Sequence, residues 1–468
     1  MSYSLLFTTQ AVLGITMVSF WRTYRIKSLL HPGMFFCGLW LFATTSCLVL
    51  SLFPETGSVV DEEMIDELNS FVLFTGLFFL VVKNWGKETI LRNESVWHLE
   101  NYAGVFKIIS VAVLILGIVN FFIRGAGFNI LEARLAMVEQ SSALFYGEQD
   151  QSFLLTLVGG AVSFNAILCV MAGFELGRDS WKIHKIFLFL PLLAGFLGSL
   201  SVGGRMEAYR VITYYFLGYA IAGTSLKEKV HIKRLLLAGL LFFCIFSLFS
   251  FWIYRQRSMG RPEDSSWNRY AVLAPAVSII DYFGSTYVGY QYRRNDFVTP
   301  EPDYGRKSFA GILFASVPFS ALFLGRDASI GHLLELEQYT QKEMFLELTA
   351  RNAPFYSSIS PMYMLLYDDF GYFGTLAVCF LLVVLTHYIY LCWFRSPHRL
   401  LLSIYFLLVS FCFWSNSFFD PFTTSAMWKV LLTAIIGLEI ARICLRRDPG
   451  TLPSKEPGQS LAGGGNDS

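Results

Sequence analysis

The feature that most constrains this chain is its series of uninterrupted apolar runs, several of them close to twenty residues long. A helix needs about 20 residues to cross a hydrocarbon layer about 30 Å thick. Inside that layer no water can satisfy a backbone N–H or C=O, so a spanning segment is either a helix or part of a closed barrel. Barrel strands alternate apolar and polar residues. These runs are continuous, which selects helices. Charged residues make up 15% of the 468, and mean hydropathy is +0.50. An ordinary soluble domain carries about 25% charge, so one oily core does not account for the deficit. The expected fold is an all-α polytopic membrane protein with about eleven transmembrane helices.

The runs put spans at about 3–21, 34–53, 68–84, 104–123, 153–173, 186–202, 206–223, 235–254, 370–394, 400–416 and 424–443. Four regions follow: eight helices in 1–254, a large polar loop at 255–369, three helices in 370–448, and a Gly/Ser/Pro-rich tail at 449–468 that reads as disordered. The first run, from Tyr3 to Trp21, has no basic segment before it and no small-residue cleavage site after it, so it reads as a retained helix. Short basic loops follow alternate spans: Arg22, Arg25 and Lys27; Lys83, Lys87 and Arg92; Arg178, Lys182 and Lys185; Lys227, Lys229, Lys233 and Arg234. Positive loops stay in the cytoplasm, which puts the N-terminus outside and the C-terminus inside. The opposite loops include the acidic stretch 54–67, with Asp61, Glu62, Glu63, Asp66 and Glu67. The long loop contains apolar stretches at 271–283, 309–324 and 355–367, broken by Pro and Gly and too short to span. They read as amphipathic or re-entrant helices at the outer membrane face.

Net charge is +1, so bulk charge points to no nucleic-acid partner. All eight cysteines lie in or beside apolar runs, and neither a structural disulfide nor a Cys-based metal site is expected. No HExxH, DxD or Walker A sequence occurs. Metal dependence, a nucleotide-driven motor and a cofactor are therefore not expected.

The outer side carries more arginine than the loop bias predicts, including Arg134, Arg210, Arg269, Arg293, Arg294 and Arg326. The ordinary reading of any one of them is a pairing with loop carboxylates, worth little energy. Arg205 is different: it lies in Gly203-Gly204-Arg205-Met206-Glu207, a tight turn between two apolar runs. An arginine at membrane depth costs at least about 2.5 kcal/mol and usually faces a polar cavity or partner. The glycines permit close backbone approach to a ligand, and a guanidinium beside exposed N–H groups suits a phosphate. The alternative is an arginine snorkelling to lipid headgroups. Candidate proton acceptors on this side are Glu132, Glu207, Asp281, His332, Asp368, Asp369 and Asp420. Asp281 stands among Ile279, Ile280, Tyr282 and Phe283, where burial would raise its pKa; the alternative is an ion pair with Arg269. His332 has a structural alternative as a lone histidine.

Four short segments, in order, resemble the Wzy-type O-antigen polymerases, which join oligosaccharide repeat units. They are Asn129-Ile130-Leu131-Glu132-Ala133-Arg134; Ser201-Val202-Gly203-Gly204-Arg205; Arg269 to Pro275 leading to Asp281-Tyr282-Phe283; and Pro361 to Gly374, which closes on Phe370-Gly371-Tyr372-Phe373-Gly374. The chain departs from members with paired Arg-x10-Gly loop motifs, because neither Arg134 nor Arg269 has a Gly at that spacing. The resemblance implies a GT-C-like helical fold in the bacterial inner membrane, with the active site and large loop in the periplasm. It implies a metal-independent glycosyltransferase acting on undecaprenyl-diphosphate-linked oligosaccharides among membrane lipids, with a chain-length regulator as a candidate partner. The leaving diphosphate needs cations, for which Arg205 leads and Arg210, Arg134, Arg269 and Arg326 follow. The accepting hydroxyl needs a base, for which the candidates are Asp281, His332 and Glu207. O-antigen ligases, which move finished glycan to lipid A-core, share the architecture and donor. A lipid or polysaccharide flippase would favour inverted repeats and mid-helix charges, and a structural scaffold would not need the Gly-Gly-Arg turn.

Overall fold

The computed structural model describes residues 4–52, 61–87, 103–123, 165–177, 183–201, 206–225 and 361–395, with parts of 237–252 and 279–294 and Ser308. Among the described residues all regular structure is helical. The complete helices are α1 (Ser4–Tyr24), α2 (Pro32–Ser51), α3 (Glu62–Val82), α4 (Ala103–Ile123), α5 (Asn165–Leu176), α6 (Lys185–Ser201), α7 (Met206–Ser225) and α8 (Met362–Arg395), with a 3-10 turn at Arg25–Leu30 after α1. Five are long and apolar enough to cross a membrane by length and composition: α1, α2, α3, α4 from Phe106, and α8 to Cys392. Outward residues such as Ile108, Phe122 and Leu381 are 64–73% exposed, as hydrocarbon-facing side chains would be. These observations fit an all-α protein of the membrane.

Several elements differ from the sequence expectation in instructive ways. α3 begins at Glu62 rather than near 68, so Glu62, Glu63, Asp66 and Glu67 belong to its first two turns and not to a loop. Carboxylates there complement the positive end of the helix dipole, which a hydropathy reading counts only as polarity. α7 is a helix where a span was expected, yet it is not among the five apolar helices. Glu207, Arg210 and its tyrosines lower its hydropathy. α8 begins at Met362, before 370, because two helical pieces meet at Gly371, whose φ of 66° and ψ of −175° break the helix. Met362 to Leu366 are fully buried, a more enclosed place than a helix lying on a membrane face. The spans expected at 400–416 and 424–443, the stretch 309–324 and the tail lie outside the described residues.

The helices pack as two groups. α1, α2, α3 and α8 form one, and α4, α5, α6 and α7 the other. The first is joined by aromatic and hydroxyl contacts. Phe71 of α3 stacks on Tyr363 of α8 at 5.6 Å, Tyr363 donates to Thr75 Oγ1 at 3.2 Å, and Tyr372 donates to Ser70 at 2.9 Å. The second is joined by close backbone approach. A Cβ on Gly173 would sit 2.0 Å from the Tyr215 carbonyl, and one on Gly218 1.9 Å from that of Val170. Gly173 with Gly177, and Gly218 with Ala222, give each helix two small residues four apart, the spacing that lets membrane helices touch backbone to backbone. Pro191 interrupts the ladder of α6. Two neighbours bond to carbonyls near that break: Tyr215 to that of Leu188, and Asn165 to that of Pro191 at 2.9 Å.

The groups meet at both ends. At the end rich in Arg22, Arg25, Lys27 and Lys83, the basic end, the 3-10 turn packs on α7. At the end carrying Asp61 to Glu67, the acidic end, Phe283 lies between Phe42 of α2 (4.9 Å) and Tyr209 of α7 (6.1 Å).

Candidate functional site

The acidic end gathers the most polar chemistry among the described residues. Its organiser is the helical segment whose described residues include Thr286–Gln291 and Arg294. Tyr287, Tyr290, Gln291 and Arg294 recur at helical spacing, so one face of the segment is polar. That face meets α3. Tyr287 donates to Asn69 Oδ1 at 2.7 Å, Tyr290 donates to Glu67 Oε1, and Arg294 Nε donates to the same oxygen at 3.0 Å. Gln291 and Asp61 bond reciprocally: the Asp61 N–H donates to Gln291 Oε1 at 2.7 Å, and Gln291 Nε2 donates to Asp61 Oδ2 at 3.2 Å. The pair ties the N-cap of α3 to the segment.

Arg294 also reaches α8. It donates to the Tyr367 hydroxyl at 2.9 Å, and its guanidinium carbon lies 4.3 Å from the Tyr367 ring centroid. One guanidinium thus joins a carboxylate of α3 to an aromatic side chain of α8, using the fork that a lysine lacks. The side chains of Arg294 and Glu67 are 23% and 18% exposed, so the pair is not sealed in the protein interior. Burial, reinforced by the Glu67 carboxylate, holds the Tyr290 phenol well above its usual range, so it remains a neutral donor. Directly after Tyr367 in α8, Asp369 is fully buried and accepts from the Ser308 N–H at 2.6 Å, and Asp368 is 4% exposed.

Two glycines shape this end of α8. The Gly371 backbone lies in a region essentially reserved for glycine. At Gly374, a Cβ would sit 2.5 Å from Phe370 Cβ, so the small residue lets Phe370 fold back over the break. The Phe-Gly-x-x-Gly spacing noted in the sequence therefore has a local backbone reason.

Of the residues singled out from sequence, Arg210 lies half-buried in the first turns of α7, and Glu207 is in the first turn of the same helix. Arg205, Arg134, Arg269, Arg326, Asp281 and His332 lie outside the described residues. Their described neighbours are informative in two cases. Tyr209, beside Arg210, touches Phe283, two residues after Asp281, and Ile279 is buried. The start of α7 and the flank of Asp281 therefore meet. Sequence reading named Glu67 and Arg294 only as members of an acidic loop and a set of arginines. The signal it passed over was the helical spacing of Tyr287, Tyr290 and Arg294. Among the described residues no group of three His, Cys, Asp or Glu side chains is arranged to hold a metal ion. No protein-family model, curated protein or solved structure matches the chain.

Proposed function

We propose that the chain polymerises undecaprenyl-diphosphate-linked oligosaccharide repeat units at the periplasmic face of the bacterial inner membrane. The observation that carries the reading is a convergence. Tyr209, in the helix opened by Gly-Gly-Arg, touches Phe283 of Asp-Tyr-Phe, and Tyr367, in the segment that closes on Phe-Gly-x-x-Gly, touches Arg294 further along the stretch that contains Phe283. Loop charge assigns that acidic end to the outside. A GT-C-like arrangement would put donor and acceptor lipids against this end from the membrane.

In the proposed reaction a hydroxyl of the incoming unit attacks the anomeric carbon of the growing chain. The bond from that carbon to the diphosphate oxygen breaks, and undecaprenyl diphosphate leaves with the electron pair. The hydroxyl proton passes to a base, for which Asp281, Glu207 and His332 remain the candidates. Arg205, with Arg210, Arg134, Arg269 and Arg326 as helpers, would meet the leaving charge. Arg294 is the weaker choice for that task, because its fork is already engaged by Glu67 and Tyr367.

The surface glycan of a deletion strain tests the reading. A single repeat on each core supports a polymerase. Core without any repeat indicates a ligase, and a full ladder removes both. In a strain carrying Arg205→Ala, polymerisation should fall roughly a hundredfold at saturating substrate, as expected for losing one charge-assisted contact worth on the order of 3 kcal/mol in the transition state. Arg205→Lys should fall less.

A further inference from the structure

We propose that His31 and His387 form a pH-sensitive latch that fastens the basic end of α8 to α2 and α3 only while both imidazoles are neutral. The inference does not depend on the polymerase reading. It rests on a chain of hydrogen bonds whose two ends fix every proton between them. The Gly33 N–H donates to His31 Nδ1 at 2.9 Å, so that nitrogen carries no hydrogen. At the other end His387 Nε2 lies 3.0 Å from the Trp85 carbonyl, which can only accept, so His387 Nε2 carries one. Between them His31 Nε2 and His387 Nδ1 are 3.0 Å apart. With both rings neutral, one arrangement satisfies all three links: His31 Nε2–H donates to a bare His387 Nδ1.

A further proton has nowhere to go without breaking the chain. On His31 it would sit at Nδ1, facing the Gly33 N–H. On His387 it would sit at Nδ1, facing the His31 N–H. Either way two donors oppose each other. Among the described residues, the side chains packed directly on His31 are aromatic rings and the His387 imidazole. Around His31 the rings are Phe20 of α1 at 4.1 Å, Tyr390 of α8 at 4.6 Å, Tyr24 of α1 at 6.0 Å and Phe79 of α3 at 6.1 Å. The Tyr390 hydroxyl is given to the Lys27 carbonyl at 2.7 Å. Among the described residues, the charged side chains on the elements forming this end are the basic Arg22, Arg25, Lys27, Lys83 and Lys87, with Glu175 buried at the end of α5, and Lys83 Nζ bonds Ser19. Burial first, and the neighbouring imidazole second, push His31 well below the usual histidine range.

The latch joins three elements at one point: His31 is the N-cap of α2, Trp85 sits in the turn after α3, and His387 is on α8. One turn further along α8, Leu391 rests on Gly86, whose φ of +65° belongs to the same turn and where a Cβ would sit 2.8 Å from Leu391 Cδ2. The sign of the pH effect follows. A histidine whose pKa is lowered by the folded arrangement adds stability above its usual value of about 6.5 and loses it as pH falls. Acidification therefore releases the basic end of α8, the helix that carries Tyr367 and Asp369 beyond Gly371.

The test uses the full chain in lipid bilayers, with its histidines labelled with nitrogen-15, and needs no variant. At about pH 7.5, both rings should report the neutral Nε2–H tautomer, with a nitrogen–nitrogen coupling across the shared hydrogen bond. At about pH 5 the coupling should vanish. Amide exchange over 383–395, corrected for its intrinsic pH dependence, should then rise about tenfold relative to α5, as local opening requires. An imidazolium or an Nδ1–H tautomer at the higher pH would overturn the latch. So would a coupling that survives acidification, or one that is lost while exchange over 383–395 keeps pace with α5.

Discussion

The two ends of the helix assembly solve the problem of polarity in opposite ways. At the basic end, His31 and His387 are 0% and 1% exposed and share hydrogen bonds that leave no room for charge. At the acidic end, the Glu67–Arg294 ion pair is about one-fifth exposed. Burying an ion in a dry interior costs several kcal/mol even when it is paired, so a membrane protein keeps charge where water or a charged ligand reaches it. The imidazole pair at the basic end therefore reads as a fastening, and the ion pair at the acidic end as the place to look for chemistry. Both ends act on the same two helices, α3 and α8, which makes the contrast testable within one frame.

The largest effect should come from the imidazole pair. His31→Ala would leave His387 Nδ1 and the Gly33 N–H without partners and open a void against Phe20. The expected loss is about 3 kcal/mol of stability, read as a lower midpoint in detergent-induced unfolding. An unchanged midpoint would mean that the imidazole chain holds nothing. Gly371→Ala should come next, at about 1–3 kcal/mol. The cost there is backbone strain alone, since nothing lies within 4 Å of a Cβ at that glycine. The strain would shift Tyr367 and Asp369 relative to α3, so activity should fall more than stability. The smallest effect should come from the Glu67–Arg294 pair. A double-mutant cycle of Glu67→Ala and Arg294→Ala should give a coupling of about 1 kcal/mol or less in stability, shrinking with added salt as exposed pairs do. A coupling as large as the His31→Ala loss would erase the contrast between the ends.

Much of the frame was legible in the sequence. The apolar runs gave the starts of α2, α4 and α6 closely, because nothing in those segments competes with hydropathy. α3 was misjudged at its start because Glu62 and Glu63 favour a helix N-terminus while hydropathy counts them against one. α8 was misjudged because its first piece is buried in protein and not in lipid, so its length did not suggest a span. The site was less legible. Glu67 and Arg294 are 227 residues apart, and nothing local in either segment announces the pairing. The same holds for His31 and His387, separated by 356 positions. A lone histidine beside Pro32 and another deep in an apolar run each look incidental until the fold brings them together.

The most direct test of the central claim is a reconstitution. The purified chain, in bilayers with an excess of metal chelator, would be given undecaprenyl-diphosphate-linked repeat units as the only substrate. A ladder of products at whole-number multiples of the repeat, each still on lipid diphosphate, is the predicted result. Unchanged single repeats that move from one leaflet to the other would contradict it and make the chain a transporter.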